Sequence, residues 1–503
     1  MAFLNMQGIS LAFIGVKIFD EVNLTIERGE KVGLVGRNAS GKTTLLRLIE
    51  GSVKPDSGVV SFQKGIRTAY LSQEVPNDLP GTVFNVVASG SREYVDLSTR
   101  NPSPGARLLH EGTPPLREEL DRIHDNLDTE GVWYKREQVN KSLSQLGLDT
   151  DRDFRSLSAG LKRQVLLTKA LVSEPDILLL DEPSNHMDID SIKELEQMMA
   201  QFAGAIIFVT HDRMFLQKIA TRIIEIDRGR LFDQTCDYET FLVRRDANRD
   251  AEETKNALFD RKLKQEEHWV REGIKARRTR NEGRVRELVK MREMRSSRRD
   301  RPKNVKMEVQ EAERSGTLVA KADNIGFNYG DTQVISQFSA TILKGDRIGI
   351  LGPNGSGKTT LLRLLLGMLV PANGTIRLGS NLQISYSDQL LEQLDESKTA
   401  IENIGDGSDT VTVNGKSRHI FGYLQDFLFS PDQARSLVSG FSGGERKRLM
   451  LARLFTQPSN LLVLDEPTND LDIETLDLLE ELLIDYTGTI LLVSHDRTFI
   501  NNI

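Results

Sequence analysis

The sequence predicts an α/β protein made of two tandem copies of one domain joined by a basic α-helical hairpin, and three observations carry that reading. The run Gly36-Arg37-Asn38-Ala39-Ser40-Gly41-Lys42-Thr43-Thr44 returns 316 residues later as Gly352-Pro353-Asn354-Gly355-Ser356-Gly357-Lys358-Thr359-Thr360. β-type apolar runs alternate with helical ones over residues 1–243 and again over 317–503, the order expected of a layered fold with a largely parallel sheet. Between the copies, residues 244–316 are charged, repeat apolar residues at helical spacing and contain a single proline, Pro302.

The repeat can be measured. Gln73 and Gln389 keep the offset of 316, whereas Ser158 and Ser442, Asp181 and Asp465, and His211 and His495 are each 284 apart. The first copy therefore carries 32 extra residues, all between Gln73 and Ser158. This is the pattern of one domain duplicated and then modified at one place. Strands are expected at Val22–Ile26, Lys31–Val35, Ile177–Leu180, Ala205–Val209 and Arg222–Ile226, with a further strand from Arg230 to Phe232. About 30 residues follow His211 in the first copy but eight follow His495, so the second domain is expected to be C-terminally incomplete.

In the middle segment Phe259, Leu263, Val270 and Ile274 recur at helical spacing, as do Val285, Leu288, Val289 and Met291. Arg277 to Gly283 lacks any apolar residue, which suggests two helices folded back around a basic tip. Residues 271–303 hold 14 Lys and Arg against five Asp and Glu, while the rest of the chain holds 52 against 68. A positive arm on an acidic body is expected, within an overall net charge of −7.

At 503 residues the chain is long enough for two or three domains with proper cores. A lone cysteine, Cys236, excludes an internal disulfide and suits a reducing cytosol. The first residues lack a basic segment ahead of an apolar core, and no run approaches the roughly 18 apolar residues needed to span a bilayer. A cytoplasmic protein without a membrane segment is expected.

The two glycine-rich runs fit G-x-x-x-x-G-K-[ST], a loop whose backbone N–H groups cradle phosphates at a helix N-terminus. Lys42 and Lys358 are expected at the β and γ phosphates of ATP, with Thr43 and Thr359 at Mg²⁺. Two apolar strands end in Asp181-Glu182 and Asp465-Glu466. The first acid of each pair suits the metal and the second suits the attacking water. His211 and His495 close a further strand and point to γ-phosphate sensing, because they repeat at the same spacing from the acids. Gln73 and Gln389 are candidates for metal or water.

Ser158-Ala159-Gly160 and Ser442-Gly443-Gly444-Glu445 precede helices that begin with basic residues. S-G-G-E ahead of the acid-ending strand resembles the signature of ABC-type ATPase domains. Tandem ABC-type domains with Asn185-His186-Met187-Asp188 and Asn469-Asp470-Leu471-Asp472 after the acids, and a charged linker between them, are similar to the ABC-F family. The resemblance covers essentially the whole chain. It implies two ATPs held head to tail, each between one domain's loop and the other's signature, with Phe13 and Tyr329 stacking on adenine. It also implies a nucleic-acid partner, either branched DNA or the RNA of the ribosome and its tRNA, with Arg277, Arg278, Arg280, Arg284 and Arg286 of the linker as candidate contacts.

Two competing functions are weaker. A transporter's energy subunit does not explain a covalently fused pair with a basic spacer. A chromosome-structuring ATPase would separate the halves of one domain, whereas here each loop precedes its own signature. Ala39, Ala159 and Leu161 depart from the family pattern, so the two sites are expected to be unequal.

Overall fold

The computed structural model describes residues 2–13, 16–76, 79–90, 137, 139–141, 143, 149–273, 278–297, 310, 316–387, 394–405, 407–413 and 416–503. Most of the 32-residue insertion, Gln389 and Arg277 lie outside the described residues.

In the first copy β1 (Ala2–Phe13) and β2 (Val16–Glu27) form an antiparallel hairpin, β3 (Lys31–Val35) follows, and β4 (Ser57–Phe62) pairs with the other edge of β1. A second sheet is built from β3, β5 (Thr68–Leu71), β6 (Ile177–Asp181), β7 (Ala205–Val209), β8 (Arg222–Asp227) and β9 (Arg230–Gln234), in the order β5-β6-β7-β3-β8-β9. All its pairings are parallel except β8 with β9. β6 and β7 are buried at every residue, which is why they read as unbroken apolar runs. Beyond Val22–Ile26 the antiparallel sheet is not legible in the sequence, because repeated register shifts along β1 break its alternation.

The second copy repeats this plan with β10 (Leu318–Tyr329), β11 (Thr332–Leu343), β12 (Arg347–Ile350), β13 (Asn373–Leu378) and β14 (Ile384–Tyr386). A small hairpin, β15 (Thr410–Val413) with β16 (Lys416–His419), precedes β17 (Leu461–Asp465) and β18 (Thr489–Val493). Among the described residues its main sheet has four strands, β12-β18-β17-β14, against six in the first copy. β3 lies between β7 and β8, but β12 is an edge strand, and its residues alternate between exposed and half-buried.

Motif residues double as helix caps. Ser158, Asp188 and Asp212 each accept a backbone N–H from the third residue of the helix they open, and Ser442, Asp472 and Asp496 repeat the arrangement. The chemistry-bearing loops are thereby pinned to the elements beneath them.

The arm begins inside the first domain. The helix Tyr238–Gly273 has Tyr238 and Phe241 buried in the first domain's core, and the helix Arg278–Ser297 returns along it. Leu263, Leu288 and Met291 bury a seam with Phe259 against them, flanked by Arg292–Glu267 at 2.9 Å and an Arg295–Asp260 pair. Val289 is exposed rather than part of the seam. Arg278 to Gly283, expected at the tip between the two helices, are already helical, and Arg277 lies outside the described residues. Thr, Arg, Asn and Glu are tolerated in a helix, and Gly283 costs one only about 1 kcal/mol. No described helix is long and apolar enough to cross a membrane.

Candidate functional site

Both glycine-rich loops wrap the amine of their own lysine. Lys42 Nζ donates to the carbonyls of Gly36 and Arg37 at 2.6 and 3.0 Å, and Lys358 Nζ to those of Gly352 and Pro353 at 2.9 and 3.1 Å. Burial pulls the Lys42 amine below its ordinary range. Gly41 and Gly357, which cap the following helices, are left-handed, as are Ala39 (φ 62°) and Gly355 (φ 81°). Ala39 thus places a Cβ in a conformation glycine adopts freely, at a cost of about 1 kcal/mol. Ala159 carries no such strain. A Cβ built at its repeat mate Gly443 meets nothing within 4 Å.

The strand-end acids sit directly beneath the loops. Asp181 is buried, and its Oδ2 accepts from the Tyr70 hydroxyl at 3.4 Å while Oδ1 has no hydrogen-bond partner. In the second copy Thr359 Oγ1 donates to Asp465 Oδ2 at 2.8 Å, with the Tyr386 hydroxyl at 3.5 Å. Glu182 and Glu466 follow with φ of 50° and 48°, a left-handed strain kept in both copies. His211 Nε2 lies 3.3 Å from Glu182 Oε1, and His495 Nε2 lies 3.3 Å from Glu466 Oε1. Burial pushes both glutamates up to about 7 and the histidines down, to about 3 for His211 and about 4 for His495. Each site therefore holds a neutral imidazole beside a carboxyl poised near neutrality.

The two copies face each other head to tail. A Cβ added to Gly444 would lie 2.4 Å from Asn38 Nδ2, and one added to Gly160 would lie 3.5 Å from Asn354 Nδ2. Each signature therefore abuts the other domain's loop. Asn38 Nδ2 donates to the Asp470 carbonyl at 3.1 Å, and Asn354 Nδ2 to the His186 carbonyl at 2.8 Å. Around the centre Arg213 pairs with Glu480, and Arg497 with Glu196, all four side chains largely buried. Ser442 and Glu445 form a reciprocal capping box, while Leu161 denies one to Ser158.

Among the other expected residues, Phe13 and Tyr329 are about half exposed at the ends of β1 and β10. Gln73 is exposed, and its carbonyl, not its side chain, accepts from Arg163 Nη2 at 3.3 Å. Arg278, Arg280 and Arg284 lie on the returning arm helix, and Arg286 is exposed there. Tyr70, Tyr386 and Arg163, and the aspartates Asp188 and Asp472 that accept the backbone N–H of Asn354 and Asn38, belong to the site without a sequence motif that assigns them there. Their partners lie far away in sequence, and only a repeat-to-repeat comparison could have raised them.

Comparison with known proteins agrees with this geometry. A family profile described as ABC transporter matches residues 19–185 and 335–469, and an extension profile with the same description matches 224–307. The ATP-binding protein Uup of Escherichia coli is 46% identical over 502 residues, covering 100% of this chain and 79% of that protein. The energy-dependent translational throttle protein EttA of Mycobacterium tuberculosis is 35% identical over 491 residues, covering 96% and 87%. A solved structure of the archaeal ribosome recycling factor aABCE1, in complex with ribosomal stalk protein aP1, shares the fold at a TM-score of 0.56 and 18% identity. It covers 99% of this chain and 86% of that one. The tandem loops, the head-to-tail facing of signatures and loops, the arm and the full-length similarity together place this chain in the ABC-F family of ATPases.

Proposed function

We propose that the two composite sites each close on one ATP and that hydrolysis there drives the basic arm against a nucleic-acid assembly in the cytoplasm. The single observation that carries this is the arm itself. A basic helical hairpin is rooted in the core of a domain whose loops bind ATP, so a change at the interface reaches a surface suited to phosphates.

Within each site the amine of Lys42 or Lys358 would leave the loop carbonyls for the β and γ phosphates. Loop N–H groups and the helix N-terminus would take the rest of the charge. Phe13 and Tyr329 would stack on adenine, and Ser158, Gly160, Ser442 and Gly444 would close from the opposite domain. Glu182 and Glu466 would accept the proton of the attacking water, and His211 and His495, neutral, would orient the γ-phosphate. The donor set fits Mg²⁺. Asp181 has an unpartnered buried oxygen beside Thr43, and Asp465 already bonds Thr359, with Gln73 and Gln389 as outer candidates. When bound, the ion would neutralise charge on the transferred phosphoryl group.

The nucleic acid is either the RNA of the ribosome with its tRNA or branched DNA of repair intermediates. That a relative is a translational throttle protein favours the first. The test is to change Arg277, Arg278, Arg280, Arg284 and Arg286 together to Gln. Log K should fall with log[salt] at a slope of about −0.9 per duplex phosphate contact or about −0.7 per single-strand contact, and the variant's slope should be several units shallower. An unchanged slope would reduce the arm to a solvated spacer. Sequencing of RNA and DNA captured by a hydrolysis-blocked variant separates the two partners.

A further inference from the structure

One carboxylate of the second domain joins the arm to the first loop. Glu474, in the first turn of the helix Ile473–Asp485, lies with Oε2 3.0 Å from Arg37 Nε and accepts from Arg249 Nη2 through Oε1 at 2.6 Å. Arg249 belongs to the arm helix Tyr238–Gly273, and its guanidinium also lies 3.7 Å from Glu225 on β8. Arg37 in turn is part of the loop. Its carbonyl accepts from Lys42 Nζ, and its neighbour Asn38 donates to Asp472. The side chains in this junction are 14–29% exposed.

Among the described residues the junction has no counterpart at the second loop. The repeat mate of Arg37 is Pro353, which carries no charge. The mate of Glu474 is Asp190, which pairs with Lys193 of its own helix at 2.9 Å. Arg249 and Glu225 belong to one unit, the first domain with the helix rooted in it, so their separation does not depend on the second domain. Both contacts of Glu474 cross the interface and exist only while the domains are together.

We propose that Glu474 is a positioning residue that makes closure over the first loop and the seating of the arm a single coupled event. Arg249 turns to Glu474 on closure and is left with Glu225 on opening. The proposal rests on the reading that ATP closes the two domains. By linkage, whatever holds the arm in its seated position tightens ATP at the first site by the same factor that ATP tightens the arm. The second site lacks this connection and responds to the arm only through the first.

The test uses the full chain in a Glu182→Gln, Glu466→Gln background, with one spin-label pair across the two domains and another between the arm and the second domain. ATP is titrated into the parent, Arg249→Gln, Glu474→Gln, the double variant and Arg249→Lys. Each single Gln variant should raise the ATP needed for half-closure by about twofold to fivefold, the range expected of partly exposed ion pairs, and should broaden the arm distance. The double variant should be no worse than Glu474→Gln, and Arg249→Lys, which keeps the charge, should recover most of the effect. Multiplicative losses in the double variant, or an arm distance unmoved by Glu474→Gln, would overturn the coupling. If ATP fails to close the parent, the reading of the composite sites falls and takes the coupling with it.

Discussion

The backbone N–H of Asn38 donates to Asp472 Oδ2 at 2.9 Å, and in the mirror position Asn354 donates to Asp188 Oδ2 at 3.1 Å. In both aspartates Oδ1 is already committed to capping its own helix, through Thr475 or Ser191. One carboxylate therefore serves the folding of one domain and the docking of the other.

Asp472→Asn should touch both duties. Asparagine caps as well as aspartate, but it loses the charge that Arg448 holds and one acceptor toward Asn38. Closure should weaken by about 1–2 kcal/mol, read as roughly fivefold to thirtyfold more ATP for half-closure, and the second domain should itself lose stability because the buried Arg448 is left without its compensating charge. Burial opposes the Asp472 charge, and Arg448, Thr475 and the Asn38 amide overcome it, holding the carboxyl far below its usual range. A depressed pKa contributes stability that is complete above the ordinary carboxylate value of about 4 and is lost only as pH falls towards the folded value. Asp472 should therefore add no pH dependence to closure near neutrality.

Turnover itself should depend on pH. Glu182 and Glu466, each raised to about 7, act as bases only when deprotonated, so kcat should climb through about pH 7 and level off above it. The histidines, held neutral, contribute no limb in that range. Glu182→Gln with Glu466→Gln should bind ATP, barely hydrolyse it and abolish the profile. Wild-type turnover that is flat from acid to mildly alkaline pH would refute the assignment.

The loops differ in strain. Gly355→Ala should destabilise the second domain by about 1 kcal/mol, because φ 81° suits glycine. Ala39→Gly should stabilise the first by a smaller amount, since relief of the left-handed backbone is partly offset by glycine's freedom in the unfolded chain. Thermal unfolding measures both, and equal shifts of one sign would contradict the geometry.

The central ion pairs invite a double-mutant cycle. Arg213→Met or Glu480→Leu alone removes the main partner of a largely buried charge, leaving Glu480 with Asn502 or Arg213 with Asp477, and should cost the closed form about 2–3 kcal/mol. The pair changed together should cost clearly less. ATP-driven closure is the measurement, and a double variant worse than either single one would show that the pair does not act as a unit.

What could be read in advance was local. The loops, the strand-end acids and the histidines lie within a few residues of a strand or helix end, where composition and spacing dictate conformation. The head-to-tail contacts of Asn38 and Asn354, and the junction at Glu474, join residues hundreds of positions apart, and no periodicity records them. The helical state of Arg278 to Gly283 is hidden in the sequence for a different reason. Charged residues favour helix and loop almost equally, so only packing at Leu288 and Met291 determines where the second helix runs.

The helix Tyr238–Gly273 has mechanical meaning. It contains no proline and no glycine before its last residue, and its 36 residues leave the buried anchor of Tyr238 and Phe241 as one rod about 54 Å long at the usual helical rise. A rotation of only about 6° at such an anchor sweeps the far end through roughly 5 Å, the pitch of one helical turn. The fold is thus geared. A sub-ångström adjustment among buried side chains at the hub would become a stroke of several ångström at the far end, and stiffness along the rod would govern how much of it is delivered.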